Sequence, residues 1–486
     1  MSELWELSLA EAAQGLRERK FKVTDLTSEC LGRIEATEPK VEACLSVLAD
    51  QAMEAAQLKD KEKVTDPPLL WGLPLTVKDV FCLKGSPTTA GSKILSGYVP
   101  AFEATVVKRL KEAGAIILAK TNCDEFAMGS STEFSAFKAT RNPWDLGRVP
   151  GGSSGGAAAS IAARQTPGAF GTDTGGSIRQ PAALCGCVGL KPTYGRVSRY
   201  GIVAYASSFD QAGPLARTVT DCAMLLLATA GHDGLDSTAS SKPVGDYLNL
   251  KAPKPADLVL GLPIELWQAD FDPKVAKVLT EAKRSLADSG VKFKDISLPN
   301  LKYSVAAYYI LAAAEASTNL ARYDGVRYGQ RKYSHQDGLM ELYLESRTRG
   351  LGTEAKRRIM LGTFVLSSGY YDAYFRKAAQ VRRLIQEDYL AALSECNFLL
   401  APVSSIPAWP FGAFTSDPLT IYQLDMMTLP LNLAGGPGLS LPAGLGEDGL
   451  PVGWQLMGRH FDERALLNAG LLLEQLVPPP KKLPSL

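Results

Sequence analysis

Apolar residues recur three and four positions apart from residue 8 to about residue 63, through SLAEAAQGLRERK, VTDLTSECLGRIEATEP and VEACLSVLADQAMEAAQLKDKEK. That is the period of helices that lay one face on a core. Ser8 followed three residues later by Glu11 reads as a capping box for the first of them. The polar TDPP at 65–68 ends this helical arm. The rhythm then changes to short apolar runs alternating with amphipathic stretches. LPLTVKDV (73–80) predicts a strand, ATVVKRLKEAG (104–114) a helix closed by Gly114, and AIILAKT (115–121) a buried strand. Such alternation predicts an α/β fold with a central mixed, mainly parallel twisted sheet.

Further on, GGAAASIAARQ (155–165) predicts a helix, PGAFGTDT (167–174) a strand, and SIRQPAALCG (177–186) and VTDCAMLLLATAG (219–231) further helices. A polar, proline-bearing excursion covers 237–255, after which DLVLGLPI (257–264) and FDPKVAKVLTEAKRSLADSG (271–290) resume the strand and helix rhythm. A long helical region over 303–392 precedes the strand FLLAPVS (398–404). LPLNLAGGPGLSLPAG (429–444) and LPVGWQLMG (450–458) read as the last strands, before a helix from Asp462 and a loose tail, PPPKKLPSL. The expected organisation is a single domain over 1–486. It comprises a helical arm (1–65), a catalytic core (66–235), an insertion and helical cap (236–395), and last strands with a closing helix (396–486).

At 486 residues the chain can bury a sizeable core. Its 52 Lys and Arg balance 51 Asp and Glu, so charge does not announce a nucleic-acid or membrane surface. Eight cysteines are scattered without CxxC spacing, which fits reduced buried thiols and no metal site. No stretch approaches the ~20 apolar residues of a membrane span. The beginning, MSELWELSLAEAAQ, lacks the basic and apolar regions of a signal peptide, so a cytoplasmic protein is expected.

The chemistry concentrates in two glycine loops, VPGGSSGGAAAS (149–160) and GTDTGGSIRQPAA (171–183), each joining a predicted strand to a helix. Glycine lets backbone N–H groups and a substrate approach a hydroxyl closely. Lys78 ends an apolar run upstream and supplies a candidate base for Ser153 or Ser177. In the second loop Thr174, Gly175, Gly176 and Ser177 precede a helix, where free N–H groups could cradle a tetrahedral oxyanion. GGSSG also fits the G-x-S-x-G elbow, with Ser153 as nucleophile, but that reading needs a histidine base. Only His232, His335 and His460 are available, each in a context that suits a surface residue. SAFK (135–138) fits S-x-x-K without its companion motifs, and no phosphate-binding P-loop pattern occurs.

Taken together, these residues are similar to the amidase signature family, whose catalytic core is a Ser, cis-Ser, Lys triad. The resemblance implies Ser177 as acyl-forming nucleophile, Ser153 as a bridging serine after a cis Gly152–Ser153 peptide, Lys78 as base and Ser154 as a structural hydroxyl. A lysine base must be neutral, so Lys78 should be buried, with its pKa lowered toward ~7 to 8. Asp173 and Arg179 are expected to brace the loop.

Longer stretches, TNCDEFAMGSSTE (121–133), GLKPTYGRVSRYGIVAYASSFDQAGPLART (189–218), EASTNLARYDGVRYG (315–329) and RRIMLGTFVLSSGYYDAY (357–374), resemble one branch of that family. This branch comprises the A-type subunits of glutamine-dependent aspartyl/glutamyl-tRNA amidotransferases. The resemblance implies glutamine as amide donor, with Arg358, Asp425 and Tyr309 as the substrate pocket. It also implies B-like and C-like partner subunits in a heterotrimer, which use ATP and Mg to amidate misacylated tRNA, with no cofactor on this chain. Ala157 and Cys123 depart from the residues expected there, Ser and Met, without removing a catalytic atom. A stand-alone amidase acting on a small carboxamide shares the triad and is the alternative; a non-catalytic scaffold would not need it.

Overall fold

The computed structural model describes residues 3–62, 64–332, 338–480 and 482–486. Eleven strands follow in chain order: β1 (Cys44–Val47), β2 (Pro74–Lys78), β3 (Ile116–Thr121), β4 (Gly168–Thr172), β5 (Val188–Lys191), β6 (Ala212–Ala216), β7 (Val259–Pro263), β8 (Lys292–Ile296), β9 (Phe398–Pro402), β10 (Gly438–Leu445) and β11 (Pro451–Met457). They form one sheet in the order β1-β3-β2-β4-β6-β5-β10-β11-β9-β7-β8. Every residue of β2, β3, β4 and β9 is buried, as continuous apolar runs covered on both faces require.

The sheet is mixed, as expected, but the expectation of mainly parallel pairing needs correction. Parallel pairs occur in two blocks, β3-β2-β4 and β9-β7-β8. The middle is antiparallel, from β4-β6-β5 through β10 to the β10-β11 hairpin and β9, and β1 is antiparallel on β3. The apolar alternation identifies the parallel blocks. It carries no signal for β1, β5, β6 or β8, three of which add antiparallel pairs.

The first helix starts with the expected capping box: Ser8 accepts from the Glu11 N–H, and the Glu11 carboxylate accepts from the Ser8 N–H. The arm is not all helical, however. Helices Val23–Val41 and Ala49–Lys61 are separated by β1 because Glu42 takes a left-handed conformation, φ 54°. The Glu38 carboxylate then accepts the N–H groups of Ala43 and Cys44, which ends the helix and starts the strand. LPLNLA is likewise a helix, Leu429–Ala434, closed by Gly435 at φ 80°. The tail does not hang loose: Pro479, Leu483 and Pro484 line a cavity with Arg164 and Arg217, and Leu486 packs on the core.

The region expected to be a long helical cap contains helices Ser304–Asn319, Leu339–Gly350, Thr353–Leu366 and Lys377–Glu395. All eight cysteines are free and buried. No helix among the described residues is long and apolar enough to cross a membrane.

Candidate active site

Strands β2 and β4 run parallel and in register, Val77 beside Phe170, so their carboxyl ends come out side by side. Such ends are where open α/β sheets place their chemistry. Lys78 is the last residue of β2 and Thr172 the last of β4. The first glycine loop reaches them through a cis peptide between Gly152 and Ser153. Gly152 has no room for a side chain: a Cβ there would lie 2.2 Å from Asp124 Oδ2.

Lys78 is fully buried, and its Nζ has three oxygen partners: Ser153 Oγ at 2.7 Å, Thr172 Oγ1 at 2.9 Å and Ser154 Oγ at 3.0 Å. These match the three N–H donors of an ammonium. Ser154 donates its own proton to the Thr172 carbonyl at 3.1 Å and accepts the Thr172 N–H at 3.2 Å, so toward Lys78 it can only accept. Ser153 has Lys78 as its side-chain partner and keeps its proton free to move. Burial lowers the Lys78 pKa to about 8, against the pull of Asp124, Asp210 and Asp173. A neutral amine is thereby accessible near neutral pH.

Ser177 lies in the second loop, tied to the first by the Ser154 N–H donating to the Ser177 carbonyl at 3.2 Å. Among the described residues no hydrogen bond joins the Ser153 and Ser177 hydroxyls; Lys78 to Ser153 is the formed half of the relay. Of the four residues expected as oxyanion donors, Gly176 is corrected. Its N–H donates to Asp173 Oδ1 at 2.9 Å and is not available. The N–H groups of Thr174, Gly175 and Ser177 have no acceptor among the described residues. Gly176 adopts φ 135°, and a Cβ there would lie 2.2 Å from Thr428 Oγ1.

Asp173 captures that amide because it anchors the whole loop. It is fully buried, paired with the equally buried Arg179 through Nε at 3.0 Å and Nη2 at 3.1 Å, and accepts from Asn432 at 2.9 Å. Burial pushes its carboxyl up, but Arg179 outweighs this and holds it at about 2. Asp173→Asn should therefore cost about 3–5 kcal/mol of unfolding free energy, because Arg179 is left as an uncompensated buried charge. Urea unfolding would register this as a lower midpoint at unchanged slope. An unchanged midpoint would show that the pair is not what holds the loop.

The substrate pocket opens on Ser177, within a cleft of about 300 Å³ that Gly175, Ser130, Tyr309, Arg358 and Asp425 also line. That is the lower end of the range for ligand sites and suits a small molecule. Asp425 accepts from Tyr309 Oη at 2.6 Å and Ser130 Oγ at 2.7 Å. Burial raises its carboxyl to about 6 while those two donors oppose the rise. Arg358 faces it across stacked aromatic rings, with its Cζ 4.8 Å from the Tyr309 ring centre and 5.0 Å from that of Tyr422. One buried cation and one buried anion thus flank the nucleophile loop.

Neither His232 nor His460 touches these serines; His460 Nε2 lies 2.9 Å from the Ala434 carbonyl, and His335 falls outside the described residues. In SAFK, Lys138 pairs with Glu38 at 2.8 Å rather than with Ser135. Thr172, Ser130, Gln180, Tyr205 and Glu354 join the site without having been expected from sequence. Gln180 links the two loops and the pocket wall, accepting the Gly152 N–H at 2.9 Å and donating to the Ser130 carbonyl at 3.1 Å. Thr172 and Gln180 lie inside the second motif; the others carry no local signal.

Comparison with known proteins gives the same picture. The family model described as Amidase matches residues 25–467. A relative from Nitratidesulfovibrio vulgaris, named as the A-type subunit of glutamyl-tRNA(Gln) amidotransferase, is 56% identical over 99% of this chain and 98% of its own length. The crystal structure of the protein of that name from Thermotoga maritima superposes with a TM-score of 0.82 at 40% identity, covering 100% of this chain and 98% of that one. Native peptide amidase from Stenotrophomonas maltophilia superposes at 0.83 with 29% identity, covering 99% and 98%. Matched by the family model over most of its length, and by a 56% identical relative over nearly all of it, this chain belongs to the Amidase family.

Proposed function

We propose that this chain is the glutaminase subunit of a tRNA-dependent amidotransferase. The observation that carries the reading is the pairing of Arg358 and Asp425 in the cleft of Ser177, beside the Lys78–Ser153 contact. A free amino acid carries one carboxylate and one ammonium, and the pocket offers one partner for each. Glutamine bound between them directs its side-chain amide to the loop. Neutral Lys78 takes the proton of Ser153, Ser153 takes that of Ser177, and the Ser177 oxygen attacks the amide carbon. The oxyanion meets the free N–H groups of the second loop. Return of the proton through Ser153 releases ammonia and leaves a glutamyl ester on Ser177, which water cleaves with the same groups acting again.

The relatives' name supports the rest of the reading: B-like and C-like partner subunits receive the ammonia and use ATP and Mg to amidate Glu-tRNA(Gln) or Asp-tRNA(Asn) in the cytoplasm. The near-neutral charge of this chain fits tRNA contact being left to a partner. Reconstitution with those subunits tests it: glutamine should drive amidation of the misacylated tRNA, with little ammonia released by the isolated chain. Full-rate glutamine hydrolysis by the isolated chain, or preference for a carboxamide without α-charges, would point to a stand-alone amidase instead. Within the pocket, Asp425→Asn should raise KM for glutamine about 10- to 100-fold, since the substrate ammonium loses its counter-charge. The same complex should keep its ammonium-driven amidation, and a parallel loss of both would remove Asp425 from the pocket.

A further inference from the structure

Arg358 is 3% exposed and sits one helical turn after Glu354, itself 4% exposed, on helix Thr353–Leu366. Residues four apart share one helix face. Its Nε donates to Glu354 Oε1 at 2.7 Å and its Nη1 to Tyr205 Oη at 2.5 Å, whereas Nη2 has no acceptor among the described residues. Glu354 is in turn held from two further sides: Tyr422 Oη donates to Oε1 at 2.7 Å, and Arg357 pairs with Oε2. The start of the helix is pinned as well, because the Gly352 N–H donates to Glu125 Oε2 at 2.8 Å. Burial alone would push the Glu354 carboxyl up; Arg358 and Tyr422 bring it below its ordinary value instead.

We propose that Glu354 is a positioning residue for the amino-acid substrate: it takes up the Nε edge of Arg358, so that the guanidinium can offer a substrate carboxylate only its Nη edge. A guanidinium has two edges that can grip a carboxylate bidentately, and an unrestrained arginine can use either. Among Tyr205, Tyr309 and Tyr422 the ring faces attract the cation without fixing its rotation. Glu354 supplies the missing directional restraint. The arrangement follows the rule that groups orienting a binding residue matter nearly as much as the residue itself.

The inference rests on the glutaminase reading and is tested in the reconstituted complex with two variants. Glu354→Ala should raise KM for glutamine about 10- to 100-fold with a much smaller change in kcat. Glu354→Gln, which keeps an oxygen for Nε and for Tyr422, should recover most of that loss. Ammonium-driven amidation serves as the measure of a folded, assembled complex and should be unchanged in both. An unmoved KM in Glu354→Ala, a fall in kcat alone, or equal losses with glutamine and ammonium would each overturn the role of Glu354. Failure of the unaltered complex to use glutamine at all would instead overturn the glutaminase reading, and this inference with it.

Discussion

Ser177→Ala should lower glutamine-dependent amidation by about 10⁴-fold or more, the scale of removing a covalent nucleophile, while ammonium-driven amidation stays intact. The expectation follows from where Ser177 lies. It is in the loop between β4 and helix Arg179–Cys185, lines the cleft between Arg358 and Asp425, and carries one of the unclaimed backbone N–H groups. Ser153 shares neither property: it is fully buried and hydrogen-bonded to Lys78. The substitution removes one oxygen and leaves that N–H, the Asp173–Arg179 anchor and the pocket in place. The variant should therefore still bind glutamine, which would appear as competition against the unaltered enzyme in a binding assay. Loss of ammonium-driven amidation together with the glutamine-driven reaction would show that the substitution damages assembly rather than chemistry.

Lys78→Arg should be nearly as inactive with glutamine, losing about 10²–10⁴-fold, the range for removal of a general base. Arginine keeps a positive charge and N–H donors for Ser153, Ser154 and Thr172, yet does not give up its proton in a protein. The variant thus separates base chemistry from hydrogen bonding. The pH profile of the unaltered enzyme follows from the same group. With a pKa of about 8, Lys78 is neutral in about one molecule in ten at pH 7, and kcat should rise with pH to a plateau above about 8. A second limb near pH 6 belongs in kcat/KM, where Asp425 must be ionised to hold the substrate ammonium. An active Lys78→Arg enzyme would remove Lys78 as the base. So would a kcat profile flat from pH 6 to 9.

The chemistry is legible in the chain because it is local. Glycines that admit close approach, hydroxyls beside them and a lysine closing an apolar strand all act within a few residues, and the fold sets Lys78 against Ser153 at 2.7 Å. What local pattern does not show is how side chains fold back on their own loop. Asp173 precedes Gly176 by three residues and claims its N–H, which takes one expected oxyanion donor out of service. The pocket is readable only in part for a related reason. Tyr205, Glu354 and Tyr422 come from segments far apart in sequence, and each alone is an ordinary loop or helix residue. Arg358 and Asp425 are reached through family resemblance, and the charge pattern would not select them. Among the elements, β1 is hidden because its break from the preceding helix uses Glu42 in a left-handed conformation, φ 54°, where no glycine or proline announces a stop. LPLNLA reads as a strand because its apolar run is too short for periodicity to separate strand from helix.

Rapid quench of the reconstituted complex with isotopically labelled glutamine, followed by peptide mapping, tests the assignment of Ser177 as nucleophile most directly. The label should appear as a glutamyl ester on the peptide that carries Ser177, form before ammonia is consumed, and be absent from Ser177→Ala. A glutamyl group on the Ser153 peptide, or glutamine consumed in a single turnover with no label on the protein, would contradict it.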